Sequence, residues 1–199
     1  TAVLKLLEIL RQNSLDTKFY QANTSEMFGG LNCPTNGYTE QSPLYPRSPY
    51  ACSKAYAHHT VINYREAYKI FACAGILFNH GGPRRGFDFL ERKITRTLAE
   101  IKLGLKKEIV LGNLEAYRDL GASKDYIKAM YLMLQQEKAS EYVIATGETH
   151  QIREILETVA EMAEIKDIYQ YVKFDQKFMR PSEVPYLLGN SSKAKKELN

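Results

Sequence analysis

Residues 47–77 read RSPYACSKAYAHHTVINYREAYKIFACAGIL, and this stretch decides the fold because a helix leads almost directly into a buried strand. Ser48 suits the N-cap, and Pro49 suits the first helical position, where a missing N–H costs nothing. A helix is therefore predicted from about Pro49 to Tyr68. The uncharged run Phe71–Leu77 then has the length and content of a buried strand. Upstream, Thr17–Ala22 reads as another short strand ending at Asn23-Thr24-Ser25-Glu26. Strand, helix and strand in that order imply parallel pairing with the helix on one face of the sheet.

Within that helix Tyr50 and Lys54 lie four residues apart and share a face, so the ammonium can stabilise a phenolate beside it. The pair is a candidate base. Tyr169 and Lys173 have the same spacing but no cap and no strand end nearby, and they read as ordinary exposed or half-buried side chains. Thr24, Ser25 and Glu26 project from the C-terminal end of a strand, where open parallel sheets bind their ligands. Two loops, 29–47 and 78–86, are rich in Gly, Asn and Pro and belong to the same functional edge.

Outward from this unit, Val3, Leu4, Leu6, Leu7 and Leu10 follow a helical period. A helix is expected over Phe89–Leu103, ended by Gly104, and another over Lys124–Gln135, capped by Ser123. A further amphipathic helix is expected over Ile152–Ala163. Strands are expected at Glu108–Leu111 and Tyr142–Ala145. Leu98, Ile101, Leu105 and Met130, Leu132, Leu134 read as packing faces, while His58 and His59 read as helix-face residues. The alternation gives an α/β protein with a parallel sheet and helices on both faces.

The chain has 199 residues, with 44% hydrophobic and 25% charged residues, which fits a soluble globular domain. Its formal charge of +4 is too small and dispersed to argue for nucleic acid. The Lys193-Ala194-Lys195-Lys196 run reads as a solvated helix face. Cys33, Cys52 and Cys73 make an odd count without a Cys-x-x-Cys pair, against a disulfide framework and a structural zinc site. No stretch approaches the roughly 18 apolar residues of a membrane span, and no signal-peptide pattern opens the chain. These features predict a cytoplasmic protein with no membrane, nucleic-acid or metal partner. No Gly-x-Gly-x-x-Gly follows a strand, so the usual pyrophosphate cradle is absent and the chain reads as part of a larger protein.

Taken together, Thr24-Ser25-Glu26-Met27-Phe28-Gly29, Tyr45-Pro46-Arg47-Ser48-Pro49-Tyr50, Asn63-Tyr64-Arg65-Glu66-Ala67-Tyr68 and Leu77-Phe78-Asn79-His80 form a collinear series. It continues through Pro83-Arg84-Arg85-Gly86, Leu111-Gly112-Asn113-Leu114, Arg118-Asp119, Lys124-Asp125-Tyr126 and Arg180-Pro181-Ser182-Glu183-Val184. The series resembles the GDP-mannose 4,6-dehydratase family of the extended short-chain dehydrogenase/reductase superfamily. Leu120 departs from it, standing where the family often has tryptophan.

The resemblance implies a partial Rossmann-type parallel sheet with a smaller mixed α/β substrate-binding domain. Residues 1–82 would be the C-terminal half of the NADP-binding domain. Residues 83–199 would mainly bind nucleotide sugar, with 105–147 returning elements to the Rossmann sheet. It implies conversion of GDP-mannose to GDP-4-dehydro-6-deoxy-mannose and water, with NADP as cofactor, in GDP-fucose or deoxyhexose synthesis, and a homo-oligomer, dimer or tetramer, in the full-length protein. Tyr50 would take the C4 hydroxyl proton. Lys54 would hold the nicotinamide ribose, and Glu26 would remove the C5 proton once C4 is a ketone. Thr24 and Ser25 would bind at the C4 oxygen. His80 and Arg85, with Tyr50 and Lys54, match cofactor contacts, whereas Asn79, Lys93, Asn113, Arg118, Arg180 and Glu183 match nucleotide-sugar contacts.

Each has a plainer role open to it. Arg84 and Arg85 could be a solvated basic pair, Asn113 a turn residue, and His80 a structural histidine. Two rival functions stand beside the first: another nucleotide-sugar epimerase, reductase or dehydratase, and an inactive binding or oligomerising piece. Unpaired sheet edges and uncovered apolar faces would make such a piece self-associate.

Overall fold

The computed structural model describes residues 1–178 and 182–198. In chain order α1 (Ala2–Gln12), β1 (Phe19–Thr24), α2 (Pro49–Tyr68) and β2 (Ala72–Leu77) build the first layer. The helix start follows from its sequence: the Ser48 hydroxyl accepts from Ala51 N at 3.0 Å, and Pro49 fills the first turn. β1 and β2 pair in parallel from Phe19 opposite Ala72 to Thr24 opposite Leu77. Val61 and Tyr64 of α2, Leu7 of α1 and Ala72 and Ala74 of β2 close one buried cluster beneath them. Full burial of a side chain such as Leu7 contributes about 1.5–3 kcal/mol.

There follow β3 (Asn79–Gly81), α3 (Leu90–Lys102), β4 (Ile109–Leu111), β5 (Tyr117–Ala122), α4 (Ser123–Gln135) and β6 (Glu141–Ile144). The remaining elements are β7 (Thr149–Gln151), α5 (Ile152–Met162), β8 (Val172–Phe174) and α6 (Ser192–Leu198). β6 joins β2 in parallel, giving the order β1-β2-β6. Met133 of α4, Tyr142 of β6, Cys73 of β2 and Leu198 of α6 form the core on the face opposite α2. A separate core joins Ile94 and Leu98 of α3, Ile109 and Leu111 of β4, and Leu156 and Ala160 of α5.

Parallel pairing holds for β1-β2-β6, for β3 with β5 and for β4 with β8. β5 and β7 run antiparallel, with Arg118 opposite His150, so the fold is mixed α/β as expected. β3, β5, β7 and β8 escape a periodicity search because three are only three residues long, and the polar β5 lacks alternation. Three expectations are corrected. Ser123 is the first residue of α4 and supplies no side-chain cap. Leu105 is 71% exposed, because the left-handed Gly104 (φ 72°) ends the periodic face one turn earlier. His58 is a core residue at 4% exposure.

The outer edge of β6 carries no strand among the described residues. The carbonyls of Ser140 and Ile144 accept from β2 and Phe78, so the polar groups of residues 141, 143 and 145 point the other way. Side chains meet them. Lys193 Nζ donates to Glu141 O at 2.9 Å, Val143 N donates to Glu40 Oε1 at 2.7 Å, and Ser191 Oγ donates to Ala145 O at 3.0 Å.

Candidate active site

β1 ends in a 3-10 turn, Ser25–Phe28, whose cap is Thr24: its Oγ1 accepts from Glu26 N at 3.3 Å. The turn closes at Gly29, with φ 76° and an added Cβ only 2.1 Å from Tyr45 O, so no other residue fits there. This chemistry fixes where Glu26 leaves the strand. Ser25 is buried, whereas Thr24 and Glu26 are half-buried.

Tyr50 stands in the first turn of α2 at 54% exposure. Together with Glu26, Arg47, Ser182 and Val184 it lines an open cleft. Lys54 is half-buried, with its ammonium 5.7 Å from the Tyr50 ring centroid. It donates to Ala22 O at 2.7 Å. Burial holds the Lys54 pKa below the ordinary lysine value, since desolvation disfavours its charge.

Glu26 also lines a second cavity, of about 310 Å³, with Asn79, Arg85, Lys93, Asn113, Arg118 and Glu183. Seven side chains singled out from separate stretches of sequence therefore converge on one space. Its charges are already matched in part. Arg118 approaches Glu183 at 3.2 Å, and the same Glu183 oxygen accepts from Val184 N at 3.0 Å. Arg85 faces Glu91 at 3.5 Å and lies over the Phe89 ring at 4.0 Å. Lys93 sits 3.9 Å above the Phe178 ring. Its pKa is lowered, first by burial and then by Lys177. Such cations can exchange an internal partner for a phosphate oxygen at modest desolvation cost.

The other expected residues lie nearby or apart. His80 stacks on Tyr126 at 4.4 Å, and its Nδ1 is 2.8 Å from Phe78 O. Asn113 lines the cavity, and its Oδ1 accepts from Glu115 N at 2.8 Å, as a turn residue's would. Arg84 is exposed, as a solvated arginine would be. Arg180 lies outside the described residues. Among the described residues no group of three or more His, Cys, Asp or Glu could hold a metal ion, and no helix is long and apolar enough to cross a membrane.

Sequence reasoning gave Asp119 no role, although it is wholly buried. Its Oδ1 accepts from Thr146 N and Oγ1 at 2.8 and 2.7 Å, and its Oδ2 from Gly147 N and Gly189 N at 3.0 and 3.2 Å. It thereby joins three segments directly behind Arg118. The one available signal was an acid in an otherwise apolar stretch, Asp119-Leu120-Gly121-Ala122.

The fold that carries this arrangement is the Rossmann-type fold of solved nucleotide-sugar dehydratases and epimerases. RMD from Pseudomonas aeruginosa complexed with NADPH superposes with a TM-score of 0.86 at 23% identity, over 98% of this chain and 65% of that one. The dTDP-glucose 4,6-dehydratase of Bacillus anthracis in complex with NAD gives 0.85 at 22% identity, over 98% and 59%. At such identities the likeness speaks for the fold.

The chain belongs to the GDP-mannose 4,6 dehydratase family, whose model matches residues 1–199. It is 50% identical to GDP-mannose 4,6 dehydratase 2 of Arabidopsis thaliana over 204 residues, covering 100% of this chain and 53% of that protein. It is 45% identical to the human GDP-mannose 4,6 dehydratase, covering 98% of this chain and 57% of that one. The chain thus spans a little over half the length of these relatives.

Proposed function

We propose that this chain carries the catalytic and nucleotide-sugar-binding part of an enzyme that removes water from GDP-mannose to give GDP-4-dehydro-6-deoxy-mannose. The observation that carries this reading is the double exposure of Glu26, which lines both the Tyr50 cleft and the charged cavity. A sugar reaching from the cavity to Tyr50 passes the one carboxylate the elimination requires.

Tyr50 accepts the C4 hydroxyl proton. Lys54, whose burial already disfavours its charge, gains by facing a phenolate. Glu26 removes the C5 proton, which a C4 ketone acidifies, and assists departure of the C6 hydroxyl. Thr24 and Ser25 hold the C4 oxygen. Arg118, Lys93, Asn79, Asn113, Glu183 and Arg180 bind the GDP part, the cations meeting the diphosphate and the carboxylate meeting donors of base or ribose.

Lys54, His80 and Arg85 are donors of the kind a ribose- and phosphate-bearing dinucleotide requires, and we assign them to NADP, although only Arg85 lines the charged cavity. The RMD structure contains NADPH and the dTDP-glucose dehydratase structure NAD. When bound, the dinucleotide supplies the hydride acceptor and donor, so the conversion is a net loss of water. GDP-mannose as substrate, deoxyhexose synthesis as destination, the domain division at 82/83 and a homo-oligomeric, cytoplasmic parent enzyme belong to the same reading.

The test is titration of the chain with NADP and GDP-mannose by calorimetry, with products weighed by mass spectrometry. A product lighter than GDP-mannose by one water, absent in Glu26→Gln, is the expected outcome. Water loss at the normal rate in a folded Glu26→Gln variant would falsify the assignment of the carboxylate.

A further inference from the structure

We propose that Asn23 and His58 form a positioning pair that sets the strand end bearing Thr24 and Glu26 against the helix bearing Tyr50 and Lys54. The proposal rests on the catalytic reading of those four residues. Asn23 Nδ2 donates to His58 Nδ1 at 3.0 Å, and both side chains are buried. Asn23 immediately precedes Thr24 in β1. His58 lies four residues beyond Lys54 and eight beyond Tyr50, so the three occupy successive turns on one face of α2.

The bond is an unusual choice for this place. It leaves Asn23 Oδ1 buried without a hydrogen-bond partner, a penalty that an apolar pair of similar volume would not carry. An apolar pair would pack, but it would not fix the register of strand against helix, because dispersion contacts tolerate sliding and a buried directional bond does not. A second tie lies one residue away, where Lys54 Nζ donates to Ala22 O at 2.7 Å. Two adjacent residues of β1 are thus held by two successive turns of α2.

The acceptor is stable at neutral pH. Burial, and then the neighbouring His59, keep His58 uncharged, with Arg65 acting in the same direction and Glu141 of β6 opposing. The Nδ1 lone pair therefore remains available to Asn23.

Neither residue touches the cleft or the cavity, so their effect is on geometry. Misplacement of reacting groups by about 1 Å can cost on the order of 100-fold in rate. His58→Leu and Asn23→Ala are expected to lower kcat about 10- to 100-fold while KM for GDP-mannose changes less than about threefold. His58→Asn keeps an acceptor near the Nδ1 position and is expected to recover most of kcat, although it leaves the larger hole. Wild-type kcat in His58→Leu, or equal losses in His58→Leu and His58→Asn, would overturn the pair.

A readout independent of turnover comes from the crystal structures of wild type and His58→Leu. A shift of Thr24–Glu26 relative to α2 is expected, and superimposable strand ends would sink the proposal. Glu26→Gln separates the two claims. If that variant still eliminates water the catalytic reading fails, and the crystallographic shift alone decides the positioning pair.

Discussion

The two sides of the site are built in opposite ways. On the β1–α2 side, each candidate is fixed by a backbone device: Thr24 caps the turn that carries Glu26, Ser48 caps the helix that carries Tyr50, and Lys54 is tied to Ala22 O. On the cavity side the cations lean on aromatic rings and carboxylates, Arg85 on Phe89 and Glu91, Lys93 on Phe178, Arg118 on Glu183. On the roles proposed for them, the groups that move protons need one geometry, and regular elements supply it. On the same reading, the groups that grip a ligand need replaceable partners, and side-chain pairs supply those.

Tyr50→Phe should give the largest effect, with kcat reduced about 10²- to 10⁴-fold and KM little changed. Arg118→Ala should instead raise KM for the nucleotide sugar about 10- to 100-fold, with a smaller change in kcat. Steady-state kinetics of both variants check this contrast. Equal losses in kcat would erase the distinction between a chemical and a gripping side.

The β1–α2 side should also respond to acid through His58. Its pKa is lowered to about 4, against about 6.5 in an unfolded chain, so the unfolded state binds more protons between these values. The His58 contribution to stability is complete above pH 6.5 and is lost as pH falls towards 4. His58→Asn should flatten that part of the denaturation curve, by up to about 3 kcal/mol. Chemical denaturation of both proteins across this window measures it, and parallel curves would show that His58 does not titrate on unfolding. The smallest effect is predicted for Leu105→Ser. The exposed position should leave stability within about 0.5 kcal/mol, whereas a core role would cost several times more.

The same contrast explains what the sequence could tell. The β1–α2–β2 unit was legible because caps, a proline and a charge-free strand are local signals, and the expected span 49–68 matches α2. The cavity was legible only as a collinear pattern of residues, since no local rule brings Asn79, Asn113 and Glu183 into one space. Three-residue strands such as β3 and β7 left no period to detect. Asp119 and His58 were misjudged for a shared reason. Their burial depends on partners 27 to 70 residues away along the chain, which residue type and spacing do not reveal.

The side-chain seal on β6 gives the sheet a direction of growth. With Glu40, Lys193 and Ser191 occupying its outward groups, an incoming strand finds no template there and can lengthen the sheet only beside β1. Phe19 N donates to Phe71 O, so Ala22 O faces away from β2 towards that open margin. There Ala22 O accepts from Lys54 Nζ and from Gln21 Nε2, each at 2.7 Å. Among the described residues the sheet is thus closed by side chains along β6 and open along β1, the strand that ends at Thr24.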